Sequence, residues 1–129
     1  MTNDIRVVIA EDNEFLRLSL ATLFSISDGL EVVGMTDNGG EAVRLCGQLH
    51  PDIILMDMLM PGMDGLAATR VIAKDYPDTQ VVVLTTGYGW RAEEAFKAGA
   101  TEYILKTTSG DELVASIIEA HTRKHSVHH

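Results

Sequence analysis

The fold of this chain turns on one stretch, Asp52-Ile53-Ile54-Leu55-Met56-Asp57-Met58-Leu59-Met60-Pro61-Gly62-Met63-Asp64-Gly65. From Ile53 to Met56 every position is apolar. A strand with one wet face would alternate, so an unbroken apolar run suits a central parallel strand covered on both sides. The second half interrupts the run. Pro61-Gly62 marks a turn, and Asp64 is placed to accept free N–H groups at the start of a helix.

Working outward, runs of the same kind recur at Ile5–Ala10, Glu31–Met35, Gln80–Thr85 and Glu102–Leu105, beside Asp52–Met56. Between them, apolar residues return at helical spacing: Phe15, Leu16, Leu20, Leu23 and Phe24; then Ala42, Leu45, Cys46 and Leu49. Leu66, Thr69, Val71 and Ile72 continue the series, followed by Ala92, Ala95, Phe96 and Ala98, and by Leu113, Val114, Ile117 and Ile118. Asp28-Gly29, Gly39-Gly40, His50-Pro51, Tyr76-Pro77 and Gly99 stand at the joints, and Ser109 is a second helix-start residue. Five βα units with short connections predict an α/β fold, a five-stranded, doubly wound parallel sheet between helices.

Composition sets the outer limits. At 129 residues the chain fits one domain, and 46% hydrophobic residues suffice for a core. No stretch approaches the roughly 20 apolar residues that cross a bilayer, and Met1-Thr2-Asn3-Asp4 carries no signal-peptide pattern. A cytoplasmic protein without membrane contact is expected. The single cysteine, Cys46, excludes an internal disulfide and reads as a buried thiol. A net charge of −9 with no basic run argues against direct contact with DNA.

In a doubly wound sheet, chemistry gathers beyond the carboxyl ends of the strands where their order reverses. Those ends carry Glu11-Asp12, Asp57, Thr85-Thr86 and Lys106, with Thr36-Asp37 further away. Three carboxylates side by side raise one another's pKa unless countered. Lys106 offsets one charge, and a hard divalent cation such as Mg²⁺ suits the rest, leaving positions open to a phosphoryl oxygen. The set is built for phosphoryl transfer, which depends on positioning and charge neutralisation.

Glu11, Asp12, Asp57, Thr85 and Lys106, in order at matching strand ends from Ile5 to about Ala120, resemble the response-regulator receiver family. The resemblance implies the flavodoxin-like strand order 2-1-3-4-5 and a Mg²⁺-dependent switch, with Mn²⁺ as a substitute. Asp57 would be the phosphoacceptor, taking the phosphoryl group from a sensor histidine kinase. Glu11, Asp12, Asp57 and the backbone carbonyl of Leu59 would hold the metal. Lys106 and Thr85 would contact the phosphoryl oxygens, and Tyr103 matches the aromatic that moves with Thr85. Helix four, strand five and helix five would form the readout surface, with a homodimer favoured by phosphorylation.

The segment from Leu105 to Leu113 resembles the NarL/FixJ subfamily, whose output is a C-terminal DNA-binding domain controlling transcription. No such domain fits after Ala120, so an excised or a stand-alone receiver is expected, with excision favoured. The receiver is assigned to residues 1–122, and 123–129 to a tail, either linker or tag remnant. The sequence departs from many receivers at Thr107, where proline often follows the lysine, which removes the reason to expect a cis bond. Leu59 and Gly87 occupy positions that tune phosphoryl lifetime. Neither side chain can orient a water, which predicts slow autodephosphorylation.

Other residues admit blander readings. Met56, Met58, Met60 and Met63 form either a partner-gripping surface or flexible packing. Tyr103 can be packing as well as switch, and Tyr88 and Trp90 need no special role. His121 and His125, one helical turn apart, have a spacing that binds transition metals, although His128-His129 favours a frayed or tag-derived tail. Two rival functions remain. A haloacid-dehalogenase-like phosphohydrolase would need a second Asp where Leu59 stands, and a degenerate receiver used only for binding would not need the whole acidic site.

Overall fold

The computed structural model describes residues 4–60, 62–87 and 92–126, apart from the Ser126 side chain. Pro61, Tyr88, Gly89, Trp90, His128 and His129 lie outside the described residues. Strands β1 (Ile5–Ala10), β2 (Leu30–Thr36), β3 (Ile53–Asp57), β4 (Gln80–Thr85) and β5 (Glu102–Leu105) alternate with five helices. These are α1 (Glu14–Ser25), α2 (Gly39–Leu49), α3 (Gly65–Asp75), α4 (Ala92–Ala98) and α5 (Gly110–Ser126). All strand pairs are parallel and the order is β2-β1-β3-β4-β5. The expected five-stranded doubly wound sheet is therefore present. Strand order reverses beside β1, which leaves the ends of β1 and β3 adjacent.

The two-residue period of each strand divides the core. Val8, Ala10, Ile54, Met56, Val81 and Val83 pack with residues of α2, α3 and α4. Val7, Ile9, Ile53, Leu55, Val82 and Leu84 face the other way, toward Leu20 and Phe24 of α1 and Leu113 and Ile117 of α5. β3 is buried at all five positions, which is why its sequence does not alternate. It ends on Asp57, so the same burial that drives the strand inside carries a carboxylate with it.

Helix starts follow local chemistry. Side chains of Asn13, Asn38 and Asp64 accept from Leu16, Glu41 and Ala67 N–H groups at 2.8 Å each, satisfying donors the helix leaves free. Ser109 Oγ accepts from Glu112 N–H in the same way at the start of α5. All described peptide bonds are trans.

Three features differ from simple periodicity. Met56, Met58 and Met60 are buried and only Met63 is partly exposed, so the methionines fill the core beneath α3 and are not a surface. Phe15 and Phe96 keep helical spacing but point outward, Phe15 at 82% exposure. Helix α5 continues past residue 122: Lys124 Nζ donates to the carbonyls of Pro77 (3.1 Å) and Asp78 (3.0 Å), and Arg123 pairs with Glu102. Cys46 is buried, and desolvation pushes its thiol up to about 12, holding it protonated.

Candidate functional site

Beyond the ends of β1, β3, β4 and β5 lies a cavity of about 260 Å³ lined by Glu11, Asp12, Asn13, Asp57, Leu59, Thr85, Thr86 and Lys106. A larger one, about 420 Å³, opens at the other end of the sheet around His50, Asp52, Tyr76 and Pro77. That second cavity also carries Asp75 and Asp78, but among the described residues only Glu11, Asp12 and Asp57 bring their carboxylate oxygens together closely enough to share one ion.

Glu11 follows the last residue of β1 and is buried, its N–H tied to Thr36 O at 3.0 Å. Its Oε2 accepts from Asn13 N–H at 3.0 Å, and its carbonyl accepts from Arg17 Nη1 at 2.8 Å. Asp12, next along the loop, is exposed. Asp57 is 3% exposed, with Oδ1 accepting from Leu59 N–H at 3.2 Å. Lys106 reaches both carboxylates, its Nζ 3.0 Å from Glu11 Oε1 and 3.3 Å from Asp57 Oδ1. Even so, Asp57 Oδ2 is buried without a hydrogen-bond donor among the described residues, and Glu11 Oε1 has only the Lys106 ammonium beside it. Such atoms are costly, and at a functional site they point to a missing partner.

Electrostatics agree with the geometry. Burial first, then the hydrogen-bonded and charged Glu11 beside it, pushes the Asp57 carboxyl up to about 7, against the pull of Lys106. Burial works against the Lys106 ammonium, but Glu11 and Asp57 outweigh it and raise its pKa. Oxygens of Glu11, Asp12 and Asp57 all lie within 4.8 Å of one another, so one cation can reach all three. An all-oxygen, acidic donor set that includes the donor-starved Asp57 Oδ2 fits a hard divalent ion such as Mg²⁺.

Thr85 ends β4, buried, with its hydroxyl accepting from Gly87 N–H at 3.1 Å. The Lys106 N–H donates to Thr85 O at 2.7 Å, so the hydroxyl and the ammonium are carried on directly linked backbone. Leu59 is half exposed at the mouth of the cavity. Tyr103 is not among the lining residues; it packs partly buried against the core on the α2–α4 face. Asn13 and Arg17 are site residues that sequence reasoning missed. Asn13 stands one residue before the α1 periodicity, a helix-start signal that would have placed it beside Glu11.

The loop between β3 and α3 is held by close backbone contact. A Cβ on Gly65 would sit 2.2 Å from Asp57 O, and one on Gly39 would sit 2.1 Å from Met63 O. Both glycines are there because nothing larger fits.

Residues 7–118 match the profile of the response regulator receiver domain. The chain is 39% identical over 114 residues to the transcriptional regulatory protein LiaR of Bacillus subtilis, covering 88% of this chain and 54% of LiaR. It is equally similar to the response regulator VraR of Staphylococcus aureus, with the same coverage. The chain thus spans about half the length of the curated relatives it matches. Among solved structures, the receiver domain of NarL from Mycobacterium tuberculosis superimposes with a TM-score of 0.86 at 28% identity, covering 92% of this chain and 97% of that one. A LuxR-family DNA-binding response regulator from Staphylococcus aureus gives 0.85 at 31% identity, covering 91% and 98%.

Proposed function

The chain belongs to the response regulator receiver domain family, in its NarL/FixJ-like branch, and from that premise we propose that Asp57 accepts a phosphoryl group from a sensor histidine kinase. The observation that carries this is the buried Asp57 carboxylate with one oxygen free of any donor, beside Lys106. Asp57 Oδ2 attacks phosphorus, the P–N bond to the kinase imidazole breaks, and an acyl phosphate forms. Lys106 neutralises charge on the transferred oxygens. The Thr85 hydroxyl leaves Gly87 N–H to donate to one of them, which draws the ends of β4 and β5 toward the site. Mg²⁺, or Mn²⁺ in its place, would be held by Glu11, Asp12, Asp57 and the Leu59 carbonyl and supplies charge neutralisation there.

Tyr103, on β5 next to these movements, follows Thr85, and the α4–β5–α5 face changes shape for its reader. A phosphorylation-favoured homodimer is what the receiver resemblance implies, and transcriptional output through a DNA-binding domain outside this chain accords with relatives that are a transcriptional regulatory protein and a DNA-binding response regulator. No helix among the described residues is long and apolar enough to cross a membrane, and a cytoplasmic setting suits a kinase-fed switch.

Acetyl phosphate with Mg²⁺ tests the reading directly. One acid-labile phosphate per chain is the expected product, absent in Asp57→Asn. Continuous release of phosphate would instead indicate a hydrolase, and no modification a binding module. The half-life of the phosphoryl group should be minutes or longer. Leu59 is apolar and Gly87 has no side chain, so neither aligns a water for attack. A half-life of seconds at neutral pH would overturn that part.

A further inference from the structure

His121 and His125 stand on successive turns of α5, toward the end of the domain opposite Asp57. Their ring centroids are 4.2 Å apart with an interplanar angle of 42°. Two imidazoles bound to one ion at metal–nitrogen distances of about 2.0–2.1 Å have centroids about 4.5 Å apart at a right angle and about 5.2 Å apart at a tetrahedral angle. The rings are therefore neighbours about 1 Å closer than a tetrahedral chelating pair, and rotation of the two side chains has to spread them for an ion to enter.

The scaffold under them is fixed, unlike a frayed tail. Gln80 Nε2 donates to Ala120 O at 3.1 Å, immediately before His121. Lys124, immediately before His125, donates to the carbonyls of Pro77 and Asp78. Arg123 pairs with Glu102 between them. His121 is half-buried against the domain and His125 is exposed, so an ion between them keeps open positions toward solvent.

The surroundings carry charge of both signs. Both residues lie near the carboxyl end of α5, where unpaired carbonyls carry partial negative charge. The Asp52 carboxylate also acts on His121 from the α2–β3 side, while Lys124 opposes it. Burial, and then His125, hold the His121 imidazole below its ordinary pKa, keeping it in the neutral form that ligates.

We propose that His121 and His125 form a second metal site, a bis-imidazole clasp on α5 for a borderline transition ion such as Zn²⁺, Ni²⁺ or Cu²⁺. Its nitrogen donors separate it chemically from the all-oxygen site at Asp57, which suits Mg²⁺. Binding ties one turn of the helix to the next and stiffens the end of α5. The proposal stands whether or not Asp57 is phosphorylated.

Calorimetric titration of the full chain with ZnCl₂, in millimolar Mg²⁺ to fill the acidic site, tests it. One ion should bind with micromolar affinity. His121→Ala/His125→Ala should weaken binding roughly tenfold or more, since removing ligands removes most of the affinity. Both positions are on the helix surface, and circular dichroism checks that the variant keeps its fold. His128→Ala/His129→Ala should leave binding unchanged. Zinc-induced shifts of the His121 and His125 imidazole resonances should appear at the same stoichiometry. Unaltered affinity in the first variant, or loss confined to the second, would overturn the site.

Discussion

Asp57→Asn should eliminate phosphoryl incorporation and, without divalent metal, make the protein more stable than its parent at pH 8. The loss of labelling follows from removing the nucleophile. The gain in stability follows from linkage. Asp57 has a folded-state pKa of about 7 against an ordinary 3.8, so the native state retains a proton that the unfolded chain has released. Stability from this group is greatest below about pH 4, falls as pH rises through 4 to 7, and stays low above that window.

Asparagine cannot titrate, so the variant escapes the decline. Each pKa unit corresponds to about 1.4 kcal/mol, and the attraction of Lys106 is already contained in the shift, so the gain at pH 8 is on the order of a few kcal/mol. The gain should shrink near pH 5, and millimolar Mg²⁺ should narrow it by binding the parent's carboxylates. Urea unfolding of both proteins at the two pH values, with and without Mg²⁺, measures this. Parallel pH profiles would show that Asp57 is not the strained group.

Gly65→Ala should be strongly damaging to both stability and phosphorylation. The new Cβ would lie 2.2 Å from Asp57 O and 2.7 Å from Met58 Cα, both backbone atoms that cannot swing aside. The start of α3 must lift off the end of β3, also straining the Gly65 N–H to Met58 O hydrogen bond of 3.1 Å. Overpacking of this kind costs about 3 kcal/mol. Because Asp57 and Leu59 sit on the displaced backbone, phosphorylation by acetyl phosphate should slow by roughly tenfold or more.

Gly40→Ala supplies the control. It is also helical, but its added Cβ meets only Asn38 Oδ1 at 3.6 Å, so stability should hold or rise by about 0.5–1 kcal/mol. Thermal melts and labelling rates distinguish the two. A parent-like Gly65→Ala protein would show that the contact yields easily.

Much of this molecule was readable from its residues, and the failures have physical causes. The strands were legible because both faces of β3 and β4 are covered, which demands unbroken apolar runs. The end of β3 was legible because the run stops at an acid. Burial of Met58 and Met60, beyond that strand, was not, since flexible methionines suit surface and core alike. Phe15 was misleading because periodicity does not say which side of a helix meets the sheet. The roles of Asn13 and Arg17 depend on how the β1–α1 loop folds back on Glu11. The final turns of α5 rest on hydrogen bonds to carbonyls of the α3–β4 connection, and a polar run such as His121–His125 announces none of them.

The anchoring of α5 turns it into a lever. Its last turns are bolted to the far end of the sheet through Gln80, Glu102 and the Pro77 and Asp78 carbonyls, while its first turn follows closely on Lys106. At about 1.5 Å per residue the arm is roughly 25 Å long, so a tilt of about 3° at the pivot becomes about 1 Å at the free end. If Lys106 is drawn toward a phosphoryl group on Asp57, as proposed, the start of α5 at Gly110, beside Leu23 of α1, should move more than the neighbourhood of Lys124. A partner gripping the start of α5 gains the full stroke, and one gripping its end gains a steady fulcrum.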